Sequence, residues 1–141
     1  MKKIYTFIPL KTEHKKILES SSSNCEFIHL GLIKPTLEQV KDANVIIGNI
    51  PVDILKNIPN LEFVQLNSAG TNGYSDNPDF PKNVLLANAT GAYGVAISEC
   101  ILAGILTLMK HIPCYIKNQS NHDWKDEGSV TSIWGSVTLV I

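Results

Sequence analysis

Short apolar runs and amphipathic runs alternate along the first two thirds of the chain. Runs rich in β-branched and aromatic residues predict five strands, at residues 4–9, 25–30, 45–47, 62–66 and 84–88. Helical spacing of apolar positions and capping residues predict three intervening helices, at residues 11–20, 37–41 and 51–58. Because strands and helices alternate with short loops, the pattern predicts an α/β fold whose strands form one parallel sheet.

A longer apolar segment follows these elements. Residues 94–118 predict a long helix that Pro113 should kink, since proline removes one backbone hydrogen bond and crowds the preceding turn. Residues 121–132 are a polar loop in this interpretation, and residues 137–141 predict a terminal strand. The predicted fold class is a flavodoxin-like or Rossmann-like parallel sheet with helices on both faces, followed by a long C-terminal helix.

The apolar end of the sequence is unusual, because chain termini normally lie in polar surface segments. A strand at residues 137–141 would need further chain to complete its sheet. We therefore expect the sequence to be truncated and to be the first part of a longer protein.

Composition narrows the classes of ligand. The chain has 141 residues and a formal net charge of −1 at pH 7, which gives no electrostatic reason to expect a nucleic-acid or membrane partner. All 12 basic residues are lysine, whereas arginine is the usual bidentate partner of carboxylates and phosphates. An anion would have to be bound by backbone N–H groups, by lysine or by an arginine from elsewhere.

The cysteines indicate the compartment. Cys25, Cys100 and Cys114 are odd in number and widely spaced, which argues against a disulfide framework and predicts a reducing, cytoplasmic location. Cys100 and Cys114 are expected to be packed on the apolar helix. The longest apolar stretch, residues 100–109, is about half of a membrane span, so no transmembrane segment is predicted.

Two glycine-bearing loops lie where ligands bind in open α/β sheets, at the carboxyl ends of the strands. Residues 67–74 follow the fourth strand, and successive N–H groups in such a loop can bind an anion. Residues 88–94 precede the long helix, whose N-terminus also favours an anion. The alternatives are a tight connection that needs positive φ at Gly70 or Gly73, and a glycine-rich hinge into the helix.

Three segments carry a family resemblance. Residues 61–70 (LEFVQLNSAG), 86–99 (LANATGAYGVAISE) and 134–141 (WGSVTLVI) resemble, in order and at similar spacing, the D-isomer-specific 2-hydroxyacid dehydrogenases. The resemblance covers nearly the whole chain. It implies a substrate (catalytic) domain at residues 1–94, followed at residues 95–141 by an interdomain helix, a loop and the first strand of an incomplete NAD-binding domain.

The activity that the resemblance implies is hydride transfer between a nicotinamide cofactor, NAD or NADP, and a small 2-hydroxy or 2-keto acid. A homodimer is implied for the intact enzyme. The family's phosphate-binding glycine loop would begin after residue 141, and its catalytic His, carboxylate and Arg match no residue here. We therefore expect no catalytic residues in this chain and no dehydrogenase activity from it alone.

The resemblance also assigns site residues. Backbone amides of Ala69 and Gly70 would hold the substrate carboxylate, and Asn49 and Ile50 would line the same cleft. Tyr93 would line it from the interdomain hinge.

Two further positions match the cofactor side of the family's cleft. Gly94 lies at the hinge, and Ile97, in the first turn of the long helix, would approach the cofactor. Many relatives have Thr at the position of Ile97, whose side chain cannot donate a hydrogen bond.

Other chemistry has little support in the sequence. The four histidines, His14, His29, His111 and His122, are expected to be solvated or structural, and no metal site is predicted because no second ligand pair has useful spacing. The alternative function is a non-catalytic flavodoxin-like binding or interaction module. The apolar face of the long helix favours it, since that face would be exposed without its natural cover.

Overall fold

The computed structural model describes residues 1–140 and divides into two compact units, Met1–Ala92 and a second unit that begins at Tyr93. The first unit holds five strands: β1 (Lys2–Thr6), β2 (Cys25–His29), β3 (Val45–Ile47), β4 (Phe63–Gln65) and β5 (Leu85–Ala87). Its helices are α1 (Thr12–Ser20), α2 (Leu37–Val40) and α3 (Val52–Leu55). The two functional domains inferred from the resemblance stay a prediction.

All four strand pairings are parallel, and the strand order is β2-β1-β3-β4-β5. The predicted parallel α/β sheet is therefore confirmed. Its central strands are short apolar runs, in register from Ile46 on β3 to Val64 on β4 and Leu86 on β5. Ile46 and Val64 are fully buried, as strands covered on both faces require.

One apolar cluster packs the first unit. Its largest fully buried hydrophobic side chains are Ile46, Ile50, Leu55, Leu66, Val40 and Val64. Most of them lie on strands β3 and β4, directly after these strands or on α2 and α3. The core therefore lies beneath the strand ends that the two glycine-bearing loops follow, which gives those loops a rigid support.

The local rules explain the helix starts. Thr36 is the N-cap of α2, and its backbone N–H donates to Oε1 of Gln39 at 3.0 Å, as the capping pattern predicts. Helix α1 buries none of its residues, and Ile17, predicted to face inward, is 66% exposed. This prediction was wrong because nothing in the described chain covers that side of α1.

Ion pairs fasten the start of β1 to the chain before β3. Nζ of Lys3 lies 2.6 Å from Oδ2 of Asp42, and the hydroxyl of Tyr5 donates to Oδ1 of the same carboxylate at 2.7 Å. The hydrogen bonds from Lys3 and Tyr5 hold the pKa of Asp42 below its ordinary value. Burial, with the Asp42 contact, raises the pKa of Tyr5, so its phenol stays protonated at neutral pH.

The second unit begins with two helices where one was predicted. Helix α4 spans Gly94–Met109 and helix α5 spans Ile112–Ser120, and their axes differ by 66°. The break lies at His111, which has φ 54°, rather than at Pro113, which occupies the first turn of α5. A proline in a first turn loses no helical hydrogen bond, so the chain breaks just before it rather than bending at it.

The terminal strand predicted at residues 137–141 is not present in the part of it that the structure describes. Residues 137–140 form no regular element, and Val137 is 98% exposed. A strand is stabilised by its neighbours, and these residues pair with none of the five described strands. Residue 141 lies outside the described residues.

Two packing expectations for the second unit were also wrong. Cys100 and Cys114 are both exposed rather than packed. Trp124 and Trp134, expected to anchor the polar loop, are fully solvent-exposed. The loop is held instead by hydrogen bonds, including Nδ2 of Asn118 to Oε1 of Glu127 at 2.6 Å.

Membrane-spanning character was examined over the described residues. None of their helices is by itself long and apolar enough to cross a membrane, and only the bent pair α4 and α5 taken together reaches the required length and hydropathy.

Candidate functional site

The strand order places the candidate site. In a sheet ordered 2-1-3-4-5, the direction of strand addition reverses between β1 and β3, and ligands bind at the carboxyl ends of the strands near that point. Phe7 follows β1 there and continues its pairing with β3, its N–H donating to the carbonyl of Ile47 at 2.7 Å. Gly48, Asn49 and Ile50 follow β3 at the same edge.

Asn49 connects two strand ends through its side chain. Oδ1 accepts the backbone N–H of Asn67 at 2.7 Å, and Nδ2 donates to Oγ of Ser68 at 3.0 Å. The next residue, Ile50, is fully buried in the core and fixes the backbone from which Asn49 projects. Asn49 therefore holds the start of the loop that follows β4.

The carbonyl groups of that loop are occupied. The carbonyl of Ser68 accepts the N–H of Ala89 at 2.9 Å, and that of Ala69 accepts Nδ2 of Asn88 at 2.7 Å. The hydroxyl of Ser68 donates to the carbonyl of Gly70 at 2.8 Å. Three consecutive acceptors are thus satisfied within the protein, which leaves the donors of the same residues to consider.

Among the described residues, no acceptor is assigned to the backbone N–H of Ser68, Ala69 or Gly70. Ala69 and Gly70 are solvent-exposed. A loop whose carbonyls are fixed and whose successive N–H groups are open to a ligand can bind an anion without a charged side chain. The predicted residues Asn49, Ile50, Ala69 and Gly70 are thus brought together at one edge of the sheet.

The glycines of this loop can now be distinguished. Gly73 has φ +80° and needs no further explanation, since few other residues adopt that conformation. Gly70 does not have positive φ, and a Cβ added to it would meet nothing within 4 Å. Neither backbone conformation nor packing in the described chain therefore requires glycine at position 70.

A small cavity of about 290 Å³ opens beside this loop. Its lining residues come from the ends of four strand-loop segments and include Phe7, Leu32, Ile33, Asn49, Ile50 and Asn67. Apolar side chains form one wall and amide groups form the other. The volume is at the lower end of the range for small-molecule sites, so the cavity suits a compact ligand with one apolar and one polar end.

Comparison with known proteins separates sequence from structure. The sequence matches no known protein family and no curated protein. Solved structures do match. A D-isomer-specific 2-hydroxyacid dehydrogenase family protein from Aeromonas salmonicida superposes over 90% of this chain with a TM-score of 0.76 and 16% sequence identity. Phosphoglycerate dehydrogenase from Lactobacillus plantarum covers 92% at 24% identity, with a TM-score of 0.51.

A protein from Pyrococcus horikoshii matches the whole chain at 19% identity, with a TM-score of 0.62. The chain shares the fold of D-isomer-specific 2-hydroxyacid dehydrogenases. It corresponds to 42–43% of the length of each of these three structures. The structural likeness therefore concerns part of such a protein.

The remaining predicted site residues lie in the second unit. Tyr93 is the N-cap of α4, Gly94 is its first residue, and the N–H of Ile97 donates to the carbonyl of Tyr93 at 2.9 Å. These three residues share one helical turn, and Tyr93 and Ile97 are exposed. Their roles toward substrate or cofactor stay predictions.

The fit of a dinucleotide can be tested on this chain's own residues. The sequence contains no G-x-G-x-x-G segment, the loop that normally brings backbone N–H groups to a pyrophosphate. Ile97 offers only hydrocarbon and Gly94 only backbone. The described residues therefore do not fit the whole cofactor, although they could contribute contacts to it.

The histidines do not form an acid–base centre in the described chain. Nδ1 of His29 lies 2.8 Å from Oγ1 of the fully buried Thr6, and Nε2 lies 3.2 Å from Oε1 of Glu19. Because Thr6 is inaccessible, this arrangement ties α1 to the sheet rather than presenting a nucleophile. No three His, Cys, Asp or Glu residues among residues 1–140 are placed to share a metal ion.

Sequence reasoning missed two groups of site residues. Phe7, Leu32 and Ile33 form the apolar wall, and the switch-point rule applied to the strand order would have indicated Phe7. Ser68 and Asn88 fix the loop carbonyls, and both lie inside the loops that the sequence singled out. Their polar side chains directly after strands were the available signal.

Proposed function

We propose that this chain is the substrate-binding part of an NAD(P)-dependent D-2-hydroxyacid dehydrogenase, a family of oxidoreductases that act on CH–OH groups. In this proposal the N–H groups of Ala69 and Gly70 bind the carboxylate of a small 2-hydroxy or 2-keto acid. The observation that carries it is the loop after β4, whose carbonyls are all engaged while its exposed N–H groups have no acceptor in the described chain.

The chemistry suits a carboxylate. Hydrogen bonds from N–H to an ionised oxygen are about twice as strong as neutral ones, and two adjacent amides can serve the two carboxylate oxygens. The chain has no arginine, so backbone donors are the available means of orienting the acid here. Asn49 contributes by holding the loop that carries those donors.

The cavity beside the loop gives the substrate its size. About 290 Å³ bounded by Phe7, Leu32 and Ile33 accommodates a short aliphatic side chain. A carboxylate on the loop and a methyl or ethyl group against this wall would orient C2 of the acid. The substrate class that follows is a small 2-hydroxy or 2-keto acid with an apolar side chain.

The cofactor supplies the hydride chemistry when it is bound. This chain would add apolar contact from Ile97 and close backbone approach at Gly94, while the acid–base group and the carbonyl-polarising cation would come from outside these 141 residues. We also propose a cytoplasmic location and a homodimer for the intact enzyme, with neither nucleic acid nor membrane as partner.

A second candidate is a non-catalytic binding or interaction module. The exposed apolar side chains of α4 favour it, notably Val95, Leu102 and Leu108, because surfaces of this kind commonly mark interaction sites. Sedimentation distinguishes the two candidates. A monomer with one cooperative melt supports the self-sufficient module, whereas aggregation or melting of α4 and α5 alone supports a dehydrogenase part.

Calorimetric titration with pyruvate and with pyruvamide tests the proposed function. Pyruvate should bind saturably and pyruvamide at least about tenfold more weakly, because a charged acceptor strengthens each hydrogen bond. The chain alone should not oxidise NADH in the presence of pyruvate. Equal affinity for the amide would contradict the carboxylate site, and 2-keto-acid-dependent NADH oxidation would contradict the expected inactivity.

A further inference from the structure

A second and larger cavity, of about 580 Å³, lies in the first unit and is not used by the proposed function. It is formed by the turn after the Ala69–Gly70 loop, by the loop before β5 and by the end of β5. The lining residues that matter below are Thr71, Tyr74, Ser75, Phe80, Lys82 and Asn88. Its volume is within the usual range for small-molecule sites.

The charge in this cavity has one sign. Lys82 lines it and makes no ion pair with any described residue. The two nearby carboxylates are engaged elsewhere, since Asp79 lies 2.9 Å from Nζ of Lys56 and Oδ1 of Asp76 accepts the N–H of Gly73 at 2.7 Å. No acidic side chain lines the cavity. One ammonium without a competing carboxylate favours a monoanionic ligand over a cation or a multiply charged phosphate.

The body of the cavity is aromatic and weakly polar. Tyr74 and Phe80 are partly buried and pack against the core, so their rings are fixed. Burial raises the pKa of Tyr74, which keeps its phenol neutral, and its hydroxyl has no partner among the described residues. Aromatic faces of this kind favour a planar ring in offset or edge-to-face contact, with the Tyr74 hydroxyl available to donate.

Asn88 links this cavity to the loop already described. Its side chain lines the cavity, yet its Nδ2 donates to the carbonyl of Ala69 at 2.7 Å and its Oδ1 accepts the N–H of Thr90 at 3.3 Å. A ligand that contacts Asn88 must therefore alter the environment of Ala69. This gives occupancy a readout away from the cavity itself.

From these observations we infer that the cavity between Tyr74, Phe80 and Lys82 is a second binding site, for a small aromatic monocarboxylate. The ring lies against Tyr74 and Phe80, and the carboxylate pairs with the ammonium of Lys82. The site is separate from the Ala69–Gly70 loop and does not depend on what that loop binds.

Amide NMR of the 141-residue chain, titrated with benzoate, benzamide and acetate, tests this inference. Benzoate should bind saturably, with shifts concentrated at residues 71–88 and a smaller shift at Ala69. Benzamide lacks the charge and acetate lacks the ring, so each should bind at least about fivefold more weakly. Lys82 is exposed, so Lys82→Gln should keep the fold while weakening benzoate about fivefold or more.

Lys16→Gln is the matched control, because Lys16 is also exposed and unpaired in the described chain and lies on α1. It should leave benzoate affinity unchanged, and Lys82→Gln should leave pyruvate affinity within about twofold. Unchanged benzoate affinity in Lys82→Gln, or shifts confined to Ala69 and Gly70, would overturn the second site. Failure of pyruvate to bind would count against the proposed function only.

Discussion

Replacing Gly48 by alanine is expected to lower the free energy of unfolding by about 2–4 kcal/mol. Gly48 has φ +134°, a region that residues with a side chain rarely adopt. A Cβ at this position would lie 2.9 Å from Cβ of Phe7 and 3.2 Å from its carbonyl oxygen. The backbone cannot move away freely, because the Gly48 N–H donates to the carbonyl of Gln65 at 2.8 Å.

Urea denaturation followed by circular dichroism measures this effect. Gly70→Ala is the matched control, since nothing lies within 4 Å of its added Cβ and its φ is not positive; its unfolding free energy should change by about 0.5 kcal/mol or less. If Gly48→Ala were as stable as the original chain, the close approach of β1 and β3 at this strand end would be wrong. The origin of the Asn49 backbone would then be wrong as well.

Replacing Asn49 by alanine is expected to weaken pyruvate binding by about tenfold or more. The substitution removes two hydrogen bonds to the loop after β4, at 2.7 and 3.0 Å, each worth about 1 kcal/mol. Without them the Ala69 and Gly70 N–H groups must be ordered when the ligand binds, and that ordering reduces affinity. Calorimetric titration of the variant with pyruvate measures the change.

Asn57→Ala supplies the comparison for this prediction. Asn57 is exposed, and its Nδ2 makes one local hydrogen bond to the carbonyl of Asp53 at 2.7 Å, away from the candidate site. It should bind pyruvate as the original chain does. Thermal melts of both variants establish that each is folded, and equal affinities in a folded Asn49→Ala would remove Asn49 from the account.

The sequence contained enough information for the sheet, because its strands are governed by local composition. Val45–Ile47 is a run of β-branched residues and forms β3 as predicted. The N-cap at Thr36 follows from short-range hydrogen bonding in the same way. The loop of Ala69 and Gly70 could be singled out because glycine and small residues directly after a strand are visible in sequence.

Features that depend on distant parts of the chain could not be predicted. The two contacts of Asn49 reach residues 18 and 19 positions away, and no periodicity records them. The apolar residues 137–140 have high strand propensity but no described neighbour to pair with, so propensity alone misled. At His111 the chain breaks before Pro113 rather than at it, which composition alone did not distinguish from a kink.

Amide NMR of the uniformly ¹⁵N-labelled chain during titration with pyruvate tests the central claim most directly. The account predicts that the largest shifts are those of the Ala69 and Gly70 N–H signals, that they saturate together, and that pyruvamide does not reproduce them. Saturable pyruvate binding that leaves both signals in place would contradict the assignment of this loop as the carboxylate site.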